Sequence, residues 1–135
     1  MLKRQKVFDS MGITGNAFTI IHGLDGYDEI SLTNDTKVIT AAGEKVMTPE
    51  QLGKRLVHDE DIHGGNSVEE SGKIFRKILQ GKGTWAQNAV VLANAAMGLH
   101  CTGKYATYGD AYQAAVESLE SGKAALSLQK LISLQ

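Results

Sequence analysis

Four side chains able to hold a cation or move a proton crowd into the stretch FTIIHGLDGYDEISLT at 18–33: His22, Asp25, Asp28 and Glu29. Three carboxylates this close repel one another unless they are solvated, protonated or holding a cation. Carboxylate oxygens suit Mg²⁺, which commonly takes one or two of them and fills its other positions with water and substrate phosphate. Asp28 and Glu29 are the candidates for that role. On a regular strand two adjacent residues point to opposite faces, whereas in a turn they can reach two cations or two sides of one ligand. The same residue types also make an ordinary solvated turn, since Asp and Gly are what turns prefer. Spacing alone leaves both readings open.

A second cluster, HDEDIHGG at 58–65, carries His58, Asp59, Glu60, Asp61 and His63. Imidazole suits Zn or Ni, but this spacing matches no standard zinc motif and no cysteine lies nearby. It reads as a solvated acidic loop. The glycines of Gly64-Gly65 and Gly81-x-Gly83 fit neither G-x-G-x-x-G nor G-x-x-x-x-G-K-[ST], so cap and turn duty explains them. The single cysteine, Cys101, excludes an internal disulfide and reads as a structural thiol in a reducing cytoplasm. No Ser-His-Asp or Cys-His arrangement can be argued from the sequence.

These groups must be positioned by the elements around them. Residues 2 to about 11 read as a short helix, followed by the breaker cluster GITGN. Residues 17–22 form an apolar run of strand length, rich in β-branched and aromatic types, and read as a buried strand. EISLT at 29–33 alternates and reads as a second strand. KVIT and EKVMT flank AAG like a hairpin with Gly43 in its loop. Thr48-Pro49-Glu50 is a helix start, a cap followed by Pro at the first helical position, and Gly53 keeps that helix short. Residues 57–67 read as a loop. Ser67 then caps a helix whose Val68, Ile74, Phe75, Ile78 and Leu79 are expected on one core-facing side. Residues 84–100 are apolar nearly all round, the pattern of a buried helix. On it Asn94 is expected to bond to backbone, since buried amides need partners. TYGDAYQAAVESLESG is an amphipathic helix with Ala111, Ala115 and Leu119 on one face. Gly122 interrupts it before a last helix.

With 135 residues the chain suits one domain or part of a larger one. Its 42% hydrophobic and 21% charged residues are ordinary for a globular protein. Net charge is −1, and Lys and Arg are dispersed apart from the short run Lys3-Arg4-Gln5-Lys6. That pattern disfavours nucleic acid as a partner. No apolar run approaches membrane-spanning length, and no signal-peptide core follows the first lysines. About four strands fill the first third and helices fill the last half, an α/β or α+β architecture. A central strand such as 17–22 needs neighbours on both sides, which hints at a bigger sheet.

The ordered series of motifs carries a resemblance. IIHGLDGYDEISLT resembles the V-H-G-x-x-G-x-D-E-I-S-x-T signature of the anthranilate phosphoribosyltransferase family. TPEQLG, the double glycine of IHGGNS, the helix ending LQGKG, the LANAA helix and the SGKA turn follow in the family's order. The resemblance runs from about residue 17 to the end. It implies an α/β fold: the C-terminal part of a phosphoribosyltransferase/nucleoside-phosphorylase-like domain, a few strands followed by a helical cluster, with residues 1–135 as one unit. It further implies a glycosyltransferase that moves phosphoribosyl from phosphoribosyl pyrophosphate to anthranilate in tryptophan biosynthesis, with Mg²⁺ as cofactor. Asp28 and Glu29 occupy the family's metal-holding D-E positions, and Asp25 falls at a variable one.

The departures matter as much. The glycine-rich diphosphate loop, the Asn-containing ribose-phosphate segment, the basic K-H-G-type loop, the anthranilate-contacting arginine and the N-terminal helical domain have no counterpart here. AQNA stands where the family more often has R-D-A, and no proline follows SLT. The resemblance therefore implies that the chain is inactive alone, and that it associates with itself or with an N-terminal half. The alternative is a non-catalytic binding module of the same fold, for nucleic acid or a partner subunit. Nucleoside phosphorylases fit the D-E-I-S and L-N-A-A stretches less well.

Overall fold

The structure is a computed structural model that describes residues 18–135. The helix read over residues 2–11 and the Lys3–Lys6 run lie outside them. Three strands, β1 (Thr19–Gly23), β2 (Thr36–Thr40) and β3 (Gly43–Met47), form one antiparallel sheet in the order β1-β2-β3. Ile21 lies opposite Val38 and Lys37 opposite Val46. Then come α1 (Pro49–Gly53), a 3₁₀ turn at Asp59–Ile62, α2 (Val68–Leu79), α3 (Trp85–Cys101), α4 (Tyr108–Glu120) and α5 (Lys123–Ser133).

Local chemistry sets most of these boundaries. The hairpin forms as expected around AAG, with Gly43 at φ 129°. At the start of α1, Thr48 N–H donates to Gln51 Oε1 at 3.0 Å, ahead of Pro49 at the first helical position. Ser67 Oγ accepts from Glu70 N–H at 3.2 Å to cap α2. Gly81, at φ 71°, ends it by sending its N–H to Ile78 O while Lys82 N–H reaches Lys77 O. That paired closure requires a left-handed residue, which glycine adopts without penalty. Gly122, at φ 78°, separates α4 from α5.

The core lies between one face of the sheet and α3. It joins Val38 and Met47 of the sheet, Leu52 and Val57, and the Ala86, Ala89, Ala93 and Met97 side of α3. Ile30 and Leu32, fully buried, come from the segment between β1 and β2. α4 packs Ala111, Ala115 and Leu119 inward, the three residues the periodicity selected. Tyr108 ties the helices together, its hydroxyl 2.7 Å from Leu52 O and 3.1 Å from Ala93 O. Burial and the neighbouring Tyr112 push that hydroxyl well above the usual tyrosine range, so it stays a donor.

Four expectations need correction. EISLT is not a strand, for reasons given below, so the described sheet has three strands. β1 is half-buried and, among the described residues, lies at a sheet edge. α2 buries only Ile78; Val68 is 92% exposed and Phe75 51%. Its apolar stripe is real but only partly covered: α5 touches α2 and Ile74 and Leu79 are half-buried, while Val68 and Phe75 face outward. α3 is buried on its alanine side only, while Val91, Ala95 and Gly98 are exposed along the other.

Candidate cation site

The site is built on the loop that joins β1 to β2. It is closed at its neck, where Leu24 N–H donates to Asp35 O at 2.9 Å. It turns tightly: Gly23 N–H donates to Tyr27 O at 3.0 Å and Gly26 N–H to Gly23 O at 3.1 Å. Gly26 has φ 100°. A Cβ on Gly23 would stand 2.7 Å from Asp25 Oδ1 and 3.1 Å from Tyr27 O, so a side chain at 23 would force the turn to shift.

Asp25 is consumed by this architecture. Ser31 Oγ donates to its Oδ2 at 3.2 Å, and the Thr33 hydroxyl makes a short contact with the same oxygen. Thr33 N–H in turn donates to Ser31 Oγ at 3.3 Å. Slight burial works against the charged form. The hydroxyls of Thr33 and Ser31, with the backbone N–H groups of Asp25 and Tyr27, outweigh it and hold the carboxyl below its usual range. Asp25 thus does turn chemistry, as the variable position in the signature suggested.

The floor of the loop is apolar. Ile30 and Leu32 enter the core and Ser31 between them is buried as well, so the strand alternation is lost, and no strand forms because the backbone groups of Ile30 and Leu32 find other partners. Ile30 N–H donates to Asn94 Oδ1 at 3.1 Å, and Asn94 Nδ2 donates back to Ile30 O at 2.9 Å. Val57 N–H donates to Leu32 O at 2.9 Å. Leu32 itself is left-handed, φ 62°, a conformation uncommon for a residue with a branched side chain. Gly53 makes it possible, because a Cβ there would overlap Leu32 Cδ1.

Asp28 and Glu29 sit on top, both exposed. Neither makes a hydrogen bond or ion pair among the described residues, so their oxygens are available. Two exposed, adjacent carboxylates on a buried floor fit a divalent cation that keeps part of its water. No third His, Cys, Asp or Glu among the described residues completes an all-protein cage around them. His22 lies on β1 opposite Lys37 and does not join the carboxylates in a metal-ligating group.

The second acidic cluster is arranged differently. His58, Asp59, Glu60, Asp61 and His63 are all exposed around the 3₁₀ turn. Asp61 N–H donates to His58 O at 2.9 Å, and His63 Nδ1 accepts from Gly65 N–H at 3.1 Å. One thread joins the two loops: Tyr27 OH lies 3.5 Å from Asp59 Oδ1. An open cleft of about 400 Å³ runs from Glu60, Asp61 and His63 to the start of α3. There the Arg55 guanidinium covers the Trp85 ring at 3.7 Å. The sequence carried no signal for that stacking. Asn94 was legible as an amide seeking backbone, though not which backbone it would find.

Comparison with known proteins places this arrangement. A family described as the glycosyl transferase family, a/b domain, matches residues 3–125. The chain belongs to that family. Among its relatives, anthranilate phosphoribosyltransferase from Flavobacterium johnsoniae is 51% identical over 114 residues, covering 84% of this chain and 34% of the enzyme. The crystal structure of anthranilate phosphoribosyltransferase from Thermus thermophilus superposes with a TM-score of 0.75 at 28% identity. It covers 85% of this chain, which spans 34% of that one. The Saccharomyces cerevisiae enzyme, solved in complex with PRPP and Mg, gives a TM-score of 0.71 at 22% identity over 82% of this chain and 32% of its own, a likeness of fold. The chain thus spans about a third of the length of the curated relatives it matches. Among the described residues, no helix is long and apolar enough to cross a membrane.

Proposed function

We propose that this chain supplies the cation-holding part of an anthranilate phosphoribosyltransferase, with Asp28 and Glu29 as the Mg²⁺ ligands. The observation that carries the reading is the loop at 24–35. It buries Ile30, Ser31 and Leu32, spends Asp25 on its own hydroxyls, and leaves Asp28 and Glu29 exposed and unpaired among the described residues. When bound, Mg²⁺ would neutralise the charge that grows on the diphosphate of phosphoribosyl pyrophosphate as it leaves. The amine nitrogen of anthranilate would bond to ribose C1 as the bond from C1 to the diphosphate oxygen breaks, with loss of an amine proton. The part of this chain in that reaction is to fix two carboxylates and hold them in water-accessible positions. Tryptophan biosynthesis is the setting the anthranilate phosphoribosyltransferase relatives suggest, and a reducing cytoplasm suits a chain with one cysteine.

The motifs that the family resemblance assigns to the diphosphate, the ribose phosphate and anthranilate have no counterpart in these 135 residues. We therefore expect no turnover from the chain alone, because groups that orient the substrates contribute much of the rate. The two sheet edges support a partner. β3 carries Glu44 and Lys45, the charges by which natural edges resist pairing. β1 (TIIHG) carries neither Lys, Glu nor Pro. An N-terminal half that adds strands at β1 is the partner that fits, and self-association through the same edge is the competing outcome. Sedimentation of the chain across a concentration series separates them: self-association raises the mass of the chain alone, whereas an N-terminal half leaves it monomeric until added.

An amide NMR titration with Mg²⁺, with and without pyrophosphate, tests the cation reading. Shifts centred on Asp28 and Glu29 are expected, strongest with both ligands, and lost in Asp28→Asn/Glu29→Gln. A dispersed spectrum without any response at these residues would sink it.

A further inference from the structure

Asn94 lies on α3, 64 residues beyond Ile30, yet its amide makes both bonds that a neighbouring strand would make to that residue. Oδ1 accepts from Ile30 N–H, and Nδ2 donates to Ile30 O at 2.9 Å and to Val90 O of its own helix, also at 2.9 Å. One acceptor and both amide hydrogens are used. No other side chain of that size offers this set: Asp lacks the donors, Leu lacks everything, and Gln is a methylene too long. Ile30 is fully buried, so without Asn94 its N–H and C=O would be stranded away from water. Glu29 immediately precedes Ile30 in the chain, and Asp28 comes just before Glu29.

We propose that Asn94 is the positioning residue for the Asp28–Glu29 pair. It touches neither substrate nor cation. It fixes the peptide from which both carboxylates project, and so sets how well they grip a divalent ion together. The inference rests on the reading that this pair holds a cation. α3 is a suitable anchor, since Ala89, Ala93 and Met97 fasten it in the same core cluster that receives Ile30. The contrast with Asn88, on the same helix, is informative. Its Nδ2 makes only a long 3.4 Å contact with Gly83 O, and its Oδ1 is buried with no partner among the described residues. An amide on α3 is therefore not automatically satisfied; Asn94 is satisfied because the loop comes to it.

The test uses the full chain with Mn²⁺ as the probe. Paramagnetic broadening of the amides at 28 and 29 gives the affinity, and hydrogen exchange of the Ile30 amide reports the clamp. The variants are Asn94→Ala and the near-isosteric Asn94→Asp. Leu119→Ala is the control, a buried residue outside the cluster that holds Ile30. Both Asn94 variants are expected to weaken Mn²⁺ at least tenfold and to speed Ile30 exchange at least tenfold. Leu119→Ala should lose stability while keeping the Mn²⁺ affinity. Wild-type affinity in a folded Asn94 variant, or loss of affinity in Leu119→Ala to the same extent, would overturn the proposal and leave the cation reading standing. Absence of Mn²⁺ broadening at 28 and 29 in the wild type would overturn both. Should neither Asn94 variant fold, the wild type still decides. Its Ile30 amide must exchange as slowly as the α3 core, and fast exchange would refute the clamp.

Discussion

The two acid-bearing loops of this chain, 24–35 and 58–65, are alike in composition and opposite in construction. The first drives Ile30 and Leu32 to full burial and is tied down by Asn94, by Val57 and at its own neck. The second keeps Ile62 half-buried and nothing deeper, and apart from the long Tyr27–Asp59 contact its bonds stay within its own turn or reach the first turn of α2. Acid count does not distinguish them. What does is whether the backbone beneath the acids is held, because carboxylates bind a cation well only when the cost of ordering them is met before the ion arrives. Asp25 sharpens the point. It is the carboxylate with the most hydrogen bonds in the first loop, and for that reason the least available to a metal.

The comparison can be broken by mutation. Ile30→Ala removes a fully buried side chain from the floor of the first loop and is expected to cost about 2–5 kcal/mol in urea unfolding. Ile62→Ala in the second should cost clearly less, and equal losses would erase the distinction. Gly23→Ala, which sets a methyl 2.7 Å from Asp25 Oδ1, should cost about 1–3 kcal/mol through the strain it forces on the turn. The same change at Gly64, where an added methyl meets nothing within 4 Å, should be far milder.

Acid should act on the first loop through Asp25. Its pKa is lowered in the folded chain, so its contribution is present above the unfolded value of 3.8 and is lost as pH falls through the folded one. Amide shifts of Ser31 and Thr33 followed down to low pH should therefore move below about pH 4. In Asp25→Asn that transition should vanish. The smallest effect is expected from Glu60→Gln/Asp61→Asn, within about 0.5 kcal/mol of wild type and with divalent binding at 28–29 unchanged. A loss of cation binding there would show that the acids near the 3₁₀ turn serve the first loop after all.

Much of the fold was legible because it is written locally. The hairpin around AAG, the Thr48-Pro49 start, the Ser67 cap, the Ala111–Ala115–Leu119 face and the Gly122 break each depend on residues within a few positions of one another. The misreadings share a cause. Alternation in EISLT was right that Ile30 and Leu32 are buried and wrong about Ser31 between them, which is buried too. It could not report that an amide on α3 and the N–H of Val57 would replace a strand neighbour. Periodicity in α2 likewise marks an apolar face without saying what covers it, and among the described residues Val68 and Phe75 remain exposed. The D-E pair was selected from residue type and resemblance, and its exposure is what the structure adds. The Gly53 notch that admits Leu32, and the Tyr108 bridge to Leu52 and Ala93, depend on contacts between residues far apart in sequence and left no local trace.

The 64-residue span between Ile30 and Asn94 also bears on the order in which the chain acquires its parts. A contact of such separation is closed late, since the entropy of bringing distant segments together must be overcome before the contact rewards it. On a ribosome the acids would emerge long before the helix that organises them. The nascent loop would then pass through a period in which Ile30 and Leu32 have no core to enter, and translation past α3 would end it. For this chain, the order of the 24–35 loop would arrive with the docking of a helix made 64 residues later.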